Sequence, residues 1–316
     1  MNWQSSASLE TLVERAHFLQ AIRQFFANEH VYEVDTPLLC QSTVTAVHLN
    51  SFNIGNRYLQ TSPEYAMKRL LAQGAPSIYY LGKAFRQEEV GSRHNPEFTM
   101  LEWYRVGWDH WQLIQEVDAL FQTLLKCEKA TIISYHDLFA QHFDINPHLV
   151  DINILQSIAL EKKWVDKSNL PQLDKDGYLD LLMSHAIEPS LGQNAPCVVV
   201  DFPASQASLA KTSVVQDKIS YEVAQRFEFY YHGIELCNGY HELCDPTLLR
   251  QRFIEDNVKR KALNLDVIPI DEALLQAMQA GLPPCAGVAL GVDRLFMIKQ
   301  NEKSIKNVIA FEWEKA

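Results

Sequence analysis

Two pairs of strand-forming segments, each folded around a short polar connection, limit the fold of this chain more than any other feature. In residues 78–105, the runs IYYLGKAFRQEE and EFTMLEWYR enclose the polar loop VGSRHNP. In residues 226–243, a tight turn is expected near His232 and Gly233. The regular alternation of strand and helix that is typical of doubly wound folds is absent. The sequence therefore predicts an α+β fold with an antiparallel sheet.

Helices are predicted between these strands from apolar residues at helical spacing and from capping signals. They cover residues 7–30, 64–73, 111–126 and 271–280, with further helices after Pro246 and after Gly291. The sequence TSPE at residues 61–64 has the form of a capping box, and Gly74 is expected to end the helix that follows. Residues 130–190 are mixed and mainly helical. Because no linker or repeat interrupts the chain, we expect one domain over residues 1–316 with a helical insert at about 130–190.

Composition and charge exclude several classes of protein. The chain is 47% hydrophobic and 21% charged, as expected for a soluble globular protein. Its first residues lack the basic and apolar regions of a signal peptide, so we expect no secretion signal, and no apolar run approaches the ~20 residues that span a bilayer. Lysine and arginine number 28 against 39 acidic residues, and the resulting net charge of −11 argues against capture of RNA over a broad face. Six scattered cysteines without a CxxC pair favour reduced thiols and a cytoplasmic protein.

The loop of the first hairpin is unusually rich in hydrogen-bonding groups. It contains Arg86, Glu88, Arg93, His94 and Asn95. In the strand that follows, alternation places Phe98, Met100, Glu102 and Tyr104 on one face. An aromatic ring on this face could stack on a base, and the acid and phenol could hold a cation. Taken alone, the same pattern also fits a solvated surface hairpin.

Three glutamates spaced seven residues apart form a second candidate site: Glu228, Glu235 and Glu242. A turn near His232 would bring Glu228 close to Glu235 across the strand pair. Like charges so close would need a cation, and Mg²⁺ bound with ATP is one that fits. Because seven is odd, a bulge at Gly239 would be needed to put Glu242 on the same face. From the spacing alone, three independent surface glutamates are an equally good interpretation.

The segment GVALGVDRL at residues 287–295 forms a third candidate site. Gly291 lies at a predicted strand-to-helix junction, where the missing side chain lets a ligand approach the backbone. Arg294 would lie in the first turn of the helix, in a position to meet a triphosphate. The chain contains no P-loop, HExxH or GxSxG motif, so NTPases of the P-loop type, zinc proteases and serine hydrolases have no support.

Together and in this order, these segments resemble the three motifs of the class II aminoacyl-tRNA synthetases. Motif 1 is similar to the segment FLQAIRQFFANEHVYEVDTPLL, which has Pro37 near its end. Motif 2 is similar to FRQEE…RHNPEFTMLEWY, and motif 3 to GVALGVDRL. TSPE and GIELCNGYHEL bring the resemblance closest to the lysyl-tRNA synthetases. The resemblance implies an antiparallel sheet flanked by helices, and a homodimer that forms through motif 1.

Two departures from the lysyl-tRNA synthetase pattern refine the expectation. Motif 1 begins almost at residue 1, so we expect no N-terminal anticodon-binding domain. Ala289 stands where the synthetases usually carry glycine, and its methyl group should reshape the amino-acid pocket. These features, with FPASQASLA, resemble the truncated paralogues that attach β-lysine to a lysine of elongation factor P. Gln87, where asparagine is commoner, should change little.

The resemblance also implies roles for individual residues. Arg86 would bind the α-phosphate of ATP and Arg294 the γ-phosphate, while Phe98 would stack under adenine. The other nucleotide contacts would be Gln87, Glu88, Asn95, Glu235, Leu236 and Gly291. Mg²⁺ would be held by Glu228 and Glu235. The amino acid would be held at its carboxylate end and amino group by Ser62, Pro63 and Glu64, and at its distal ammonium by Glu102, Tyr104 and Glu242, beside Ala289.

The implied activity is a two-step acyl transfer in which ATP first activates lysine or (R)-β-lysine as an adenylate. The acceptor would be a lysine of elongation factor P rather than tRNA, with no role for a membrane. Two alternatives remain open: a compact lysyl-tRNA synthetase, and a catalytically silent synthetase-like regulator.

Overall fold

The computed structural model describes residues 3–47, 49–87, 90–168, 171 and 173–316. Its helices are α1 (Leu9–Asn28), α2 (Glu64–Ala72), α3 (His110–Leu125), α4 (Tyr135–Phe143), α5 (Ile152–Glu161), α6 (Lys175–Leu182), α7 (Pro246–Ala262), α8 (Glu272–Gly281) and α9 (Val292–Lys299). Its strands are β1 (Tyr32–Glu33), β2 (Leu39–Cys40), β3 (Asn53–Ile54), β4 (Arg57–Leu59), β5 (Ile78–Phe85), β6 (Glu97–Val106), β7 (Thr131–Ser134), β8 (Cys197–Pro203), β9 (Thr212–Val215), β10 (Tyr221–Tyr231), β11 (Ile234–His241) and β12 (Cys285–Gly291).

The chain divides into two compact units. The first, which we call unit 1, contains Met1–Lys126 and Glu242–Ala316, and unit 2 contains Cys127–His241. Among the described residues, no helix is both long and apolar enough to cross a membrane. The prediction of a single domain with an insert stays a prediction.

Unit 1 is built on the first predicted hairpin. β5 pairs antiparallel with β6 along the whole length of β5, β12 pairs antiparallel with β6, and β1 adds a short parallel edge to β5. Helices α1, α3 and α9 pack against this sheet and one another. The core includes Phe26 of α1, whose ring stacks on Tyr79 at 4.6 Å and meets Trp103 edge-on at 5.2 Å. The predicted antiparallel sheet flanked by helices is thus confirmed for unit 1.

The hairpin positions the functional side chains of unit 1 through its register. Tyr104 pairs with Gly287, Glu102 with Ala289 and Met100 with Gly291. Successive side chains of a strand alternate between faces, so Met100, Glu102 and Tyr104 project to one side of β6, as predicted. The segment that carries motif 3 therefore lies directly beside the segment that carries motif 2.

The second hairpin organises unit 2. β10 pairs antiparallel with β11, β8 and β9, while β7 adds a parallel edge to β8. The two residues that join β10 to β11, His232 and Gly233, both have positive φ, which confirms the predicted tight turn. Helices α4, α5 and α6 form much of the predicted helical stretch at 130–190, and their apolar faces share a core with β8 and β10. Both units are therefore mixtures of helix and mainly antiparallel sheet, and the α+β prediction is confirmed.

Two local predictions are wrong. In the helix that starts at Glu64, the N-cap position is occupied by Pro63 and not by Thr61. The Glu64 side chain binds Lys68 instead of closing a capping box with Thr61. The backbone N–H of Glu64 nevertheless donates to Ser62 Oγ at 3.0 Å, so a hydroxyl does serve this helix start. The bulge between β10 and β11 lies at Phe229/Tyr230, whereas Gly239 pairs regularly with Phe227.

Candidate active site

A group of buried acids in unit 1 is the most unusual feature of the structure. We call it the acidic cluster; its members are Ser62, Glu64, Lys68, Glu102, Tyr104 and Glu242. The cluster is assembled from the start of α2, the centre of β6, and Glu242, whose backbone N–H donates to Cys285 of β12 at 3.0 Å. All the residues predicted to hold the distal ammonium of the amino acid thus meet in one place.

Hydrogen bonds fix the carboxylate of Glu102 from both sides. Its Oε2 accepts from Ser62 Oγ and its Oε1 accepts from Tyr104 Oη, both at 2.7 Å. The Glu102 residue is only 2% exposed. Burial, reinforced by the charge of Glu64, raises the pKa of Glu102 to about 8 although these two hydrogen bonds lower it. At neutral pH, Glu102 therefore tends to keep its proton until a cation arrives.

Lys68 joins the other two acids. Its Nζ lies 2.7 Å from Glu64 Oε1 and 2.5 Å from Glu242 Oε2. Burial lowers the pKa of Lys68, but the charges of Glu242 and Glu64 outweigh burial and raise the pKa well above its ordinary value. The lysine is therefore charged at every physiological pH. With all groups ionised, three carboxylates and one ammonium leave the cluster with a charge of −2.

Small residues of β12 make room for this cluster. A side chain on Gly287 would overlap the ring of Tyr104 and would come within 2.6 Å of Glu242 Oε1. Ala289 pairs with Glu102 in the strand register and is partly exposed, so it lies beside the acidic cluster. Pro63 is buried beneath the start of α2. Polar groups in a confined site with excess negative charge can bind a ligand that carries ammonium groups.

The two predicted phosphate-binding arginines are both associated with the loop between β5 and β6: Arg86 is the first residue of this loop, and Arg294 contacts the loop from α9. Arg294, in the first turn of α9, donates through Nε to the carbonyl of Arg93 at 3.4 Å, and its guanidinium contacts His94. Arg86 donates its backbone N–H to Pro96 at 2.9 Å, and its guanidinium lies 5.2 Å from the ring centre of Phe98. The structure therefore associates both guanidiniums and the predicted adenine-stacking ring with one loop of unit 1.

The other predicted nucleotide contacts in unit 1 have defined local roles. Asn95 donates to the carbonyl of Glu97 at 2.7 Å and accepts from the N–H of Trp313 at 2.9 Å, which fixes the end of the loop. Gln87 is exposed, and its N–H donates to Asn50. Gly291 caps α9, and a Cβ there would meet only Arg294 at ordinary distances. Glu88 lies outside the described residues.

A second buried charge group lies in unit 2. We call it the Arg226 cluster; its members are Arg226, Glu228, Tyr230 and Glu235. Glu228 accepts from Arg226 and from Tyr230 Oη, both at 2.5 Å. Burial raises the pKa of Glu228 to about 7; Arg226 opposes this rise, and the charge of Glu235 adds to it. In the register of β10 and β11, Tyr230 pairs with Glu235 and Glu228 with Asn238, so Glu228 and Glu235 are diagonal neighbours on adjacent strands.

This pair of acids fits the predicted Mg²⁺ site in its chemistry. Each oxygen of Glu228 has one donor, and a carboxylate can accept about four, so lone pairs remain for a cation. Among the described residues, no group of three or more histidine, cysteine or carboxylate side chains could hold a metal ion. Mg²⁺ at Glu228 and Glu235 would therefore need phosphate and water oxygens to complete its coordination. Leu236, also predicted to line the nucleotide site, is buried beside them in β11.

Sequence reasoning missed the cations inside both clusters. Lys68 follows Glu64 by four residues on a helix, a spacing that signals an ion pair but also occurs on many exposed surfaces. Arg226 precedes Glu228 by two residues on a strand, which puts the two side chains on one face. It also missed Asp293, which accepts from the Thr99 N–H at 2.7 Å and from Arg15 at 2.5 Å and so fixes the start of α9.

Comparison with known proteins assigns the family. The family model of tRNA synthetases class II (D, K and N) matches residues 1–315. The chain belongs to this class II synthetase family. Among its curated relatives is an elongation factor P–(R)-β-lysine ligase from Salmonella paratyphi B, 47% identical over 99% of this chain and 98% of that protein. The protein with the same name from Edwardsiella ictaluri is also 47% identical, over 100% of this chain and 98% of its own length.

Proposed function

We propose that this chain is an ATP-dependent ligase that activates (R)-β-lysine, or lysine, and transfers it to a lysine ε-amine of elongation factor P. The observation that carries the proposal is the acidic cluster of this class II synthetase family member, which has an excess of two negative charges once Glu102 is ionised. A diamino acid supplies two ammonium groups to match them. The names of relatives 47% identical over almost the whole chain support the same acceptor and the same amino acid.

In the first step, the carboxylate of the bound amino acid attacks the α-phosphorus of ATP. A P–O bond forms to the carboxylate, the bond to the β-phosphate oxygen breaks, and pyrophosphate leaves. No protein nucleophile is needed, because positioning and charge stabilisation supply the rate enhancement of such a reaction. Arg86 would stabilise charge on the α-phosphate and Arg294 charge on the γ-phosphate, with Phe98 holding the base. Glu228 and Glu235 would bind Mg²⁺, which neutralises phosphate charge when bound.

In the second step, the neutral ε-amine of the acceptor lysine attacks the carbonyl carbon of the adenylate. An amide bond forms, AMP leaves, and the amine releases one proton. Through both steps the acidic cluster would hold the side-chain end of the substrate, so that its own ammonium groups stay protonated and cannot act as nucleophiles. A translation factor as acceptor implies that the ligase works in the cytoplasm.

We also propose that the active form is a homodimer. Helix α1, which runs into the motif 1 segment, exposes 77% of Leu9 and 55% of Val13 in its first turns, and Trp3 before it is 86% exposed. Large apolar side chains so exposed on one helix suit a protein interface. Light scattering of the purified chain should give twice the monomer mass, and Leu9→Glu with Val13→Glu should give the monomer mass.

The decisive experiment for the function combines exchange and transfer assays. Pyrophosphate exchange into ATP should depend on β-lysine or lysine, and label from the amino acid should enter elongation factor P but not tRNA. Labelled tRNA would instead favour a compact lysyl-tRNA synthetase, and no exchange with any amino acid would favour a silent regulator. Arg86→Ala should abolish exchange while the circular dichroism spectrum stays unchanged. Exchange retained in Arg86→Ala would show that this arginine has no role in activation.

A further inference from the structure

Lys68 is buried at a place where a lysine is costly. It is 1% exposed, and its ammonium lies among carboxylates of the acidic cluster in the interior of unit 1. A buried ion pair is seldom more stabilising than apolar side chains of the same size. Packing of α2 alone therefore does not explain why this position holds a charge.

The two contacts of Lys68 orient the acids on either side of it. Lys68 binds Oε1 of Glu64 on its own helix and Oε2 of Glu242. The other oxygen of Glu242, Oε1, lies on the side of Gly287 and the Tyr104 ring. Glu64 is the partly exposed member of the pair, with 13% of its side chain accessible. Lys68 therefore holds one oxygen of each acid and leaves the second to face other groups.

The charge balance of the acidic cluster depends on the same lysine. Without Lys68, three carboxylates would share one small region with no cation between them, and their mutual repulsion would favour the uptake of a proton. With Lys68 present, and with Glu102 ionised once a cationic ligand arrives, the cluster has two net negative charges to be neutralised by that ligand. A monoamino acid would leave one of them buried and unpaired, which is strongly unfavourable.

We infer that Lys68 is a positioning residue for the amino-acid substrate: through its two ion pairs it holds Glu64 and Glu242 in place, and so sets the pocket to accept ligands with two ammonium groups. This inference rests on the proposed function. Lys68 acts through the two acids rather than by touching the reacting atoms. The ligand class is a diamino carboxylic acid, in which lysine and β-lysine are both included.

The test is Lys68→Met, which keeps an unbranched side chain one atom shorter and removes its charge, with Lys303→Met at an exposed position as the matched control. Calorimetry would measure the affinities for lysine, β-lysine and ATP between pH 7 and pH 8.5. At each pH, the affinity of the wild type is divided by the affinity of the variant. The ligand's own amines titrate identically in both measurements, so they do not affect this ratio. The groups facing Glu64 and Glu242 within the cluster are Lys68, Glu102 and Tyr104, and only Lys68 is changed.

Lys68→Met should lower the affinity for the diamino acids roughly tenfold or more at pH 7. The loss should shrink as the pH rises, because higher pH ionises the acids that Lys68 no longer supports. ATP affinity should stay within about twofold of wild type, and Lys303→Met should behave as wild type at every pH. A loss that is the same at all pH values, or that affects ATP equally, would mean a structural role and would overturn the inference.

The remaining outcomes separate this inference from the proposed function. If wild-type protein binds neither diamino acid, both are overturned. If wild type binds them and Lys68→Met matches Lys303→Met, the function stands and only the role of Lys68 is lost. If Lys68→Met fails to fold, the single variant Glu64→Gln is compared with the double variant Glu64→Gln/Lys68→Met. In both of these variants, Glu242 is the remaining carboxylate partner of position 68. Equal affinities and equal pH profiles in that pair would also overturn the inference.

Discussion

The acidic cluster of unit 1 and the Arg226 cluster of unit 2 have similar architectures but different net charges. In each, a tyrosine donates to a glutamate two residues before it on the same strand: Tyr104 to Glu102 and Tyr230 to Glu228. Each also contains one buried base with a raised pKa, Lys68 or Arg226. When all groups are ionised, the acidic cluster keeps −2, from three acids and a lysine. The Arg226 cluster keeps −1, from two acids and an arginine.

The two bases are also held differently. Lys68 forms ion pairs with two carboxylates, those of Glu64 and Glu242. Arg226 binds Glu228, the carbonyl of Gln206 and the side chain of Asn238, and it lies 4.5 Å from the ring centre of Phe202. A planar guanidinium with several donors is thereby fixed to the fold of unit 2, whereas the ammonium of Lys68 serves the acids alone.

This difference shows how ligand chemistry can be read from a buried cluster. The count of acids alone does not identify the ligand, because an internal base neutralises part of the charge. What remains after that base predicts the ligand: two charges suit a diammonium compound, and one charge suits Mg²⁺ that also binds the phosphates of ATP. The following predictions test whether the two clusters have separate ligands.

The largest effect is expected for Glu242→Gln in the acidic cluster. Removing one partner from a buried charge pair costs about 2–5 kcal/mol, or roughly 30- to 4,000-fold in affinity. The Michaelis constant for lysine or β-lysine in pyrophosphate exchange should rise by this factor, while the Mg²⁺ concentration needed for half-maximal exchange stays the same. Glu272→Gln, which breaks an exposed pair with Arg250, is the control and should have no effect on either value. An unchanged amino-acid constant in Glu242→Gln would break the assignment of the acidic cluster.

The reciprocal effect is expected for Glu235→Gln in the Arg226 cluster. Loss of one carboxylate ligand should raise the Mg²⁺ concentration for half-maximal exchange roughly 10- to 100-fold. The amino-acid constant at saturating Mg²⁺ should not change, because the acidic cluster keeps its charge. Titration of Mg²⁺ at fixed ATP measures the effect. A change in the amino-acid constant with no change in Mg²⁺ dependence would mean that the Arg226 cluster does not hold the metal.

The pH dependence of stability should differ between the clusters. Glu102 has a pKa raised from 4.5 to about 8 by burial and by Glu64, so the folded, ligand-free protein holds a proton that the unfolded chain loses above about pH 4.5. The free energy of unfolding therefore falls as the pH rises through this window, by about 2 kcal/mol between pH 6 and pH 8. Glu102→Gln should remove that fall and should be more stable than wild type at pH 8, as measured by urea unfolding.

A matched variant in unit 2 serves as the comparison for this pH effect. Burial raises the pKa of Glu228 to about 7, so Glu228→Gln should flatten the curve only below about pH 7. Between pH 7 and pH 8, where Glu228 loses the rest of its proton, the slope of Glu228→Gln should approach that of wild type. Identical curves for wild type and Glu102→Gln would mean that Glu102 is ionised in the folded protein at neutral pH.

The sequence predicted most elements of this structure because their signals are local. Alternation in β6 and the turn at His232 and Gly233 depend on neighbouring residues, and both were confirmed. The grouping of Glu102, Tyr104 and Glu242 came from family resemblance, since no local pattern links residues 140 positions apart to one ligand. The capping box at Thr61 was wrong because Glu64 had a stronger partner in Lys68. The bulge position was also wrong, because spacing requires a bulge somewhere without fixing the residue.

The cations were missed for a different physical reason. Whether a lysine four residues after a glutamate is exposed or buried depends on what packs over it, and here the residue that completes the pair is Glu242. The contact of Arg15 with Asp293 likewise joins residues 278 positions apart. Such contacts are set by the tertiary fold, so a single sequence contains no spacing from which they could be deduced.

The smallest predicted effects come from the two tyrosines, and they compare the clusters most closely. Tyr104→Phe and Tyr230→Phe each remove one hydroxyl donor from a buried carboxylate, a loss of about 1.5 kcal/mol or roughly tenfold in ligand affinity. Tyr104→Phe should raise the amino-acid constant and leave Mg²⁺ dependence unchanged, because its hydroxyl donates to Glu102. Tyr230→Phe should do the reverse, because its hydroxyl donates to Glu228. Both constants are measured in the same exchange assay, with each variant serving as the control for the other. If both variants changed the same constant, the two clusters would serve one ligand, and the separation by residual charge would have to be abandoned.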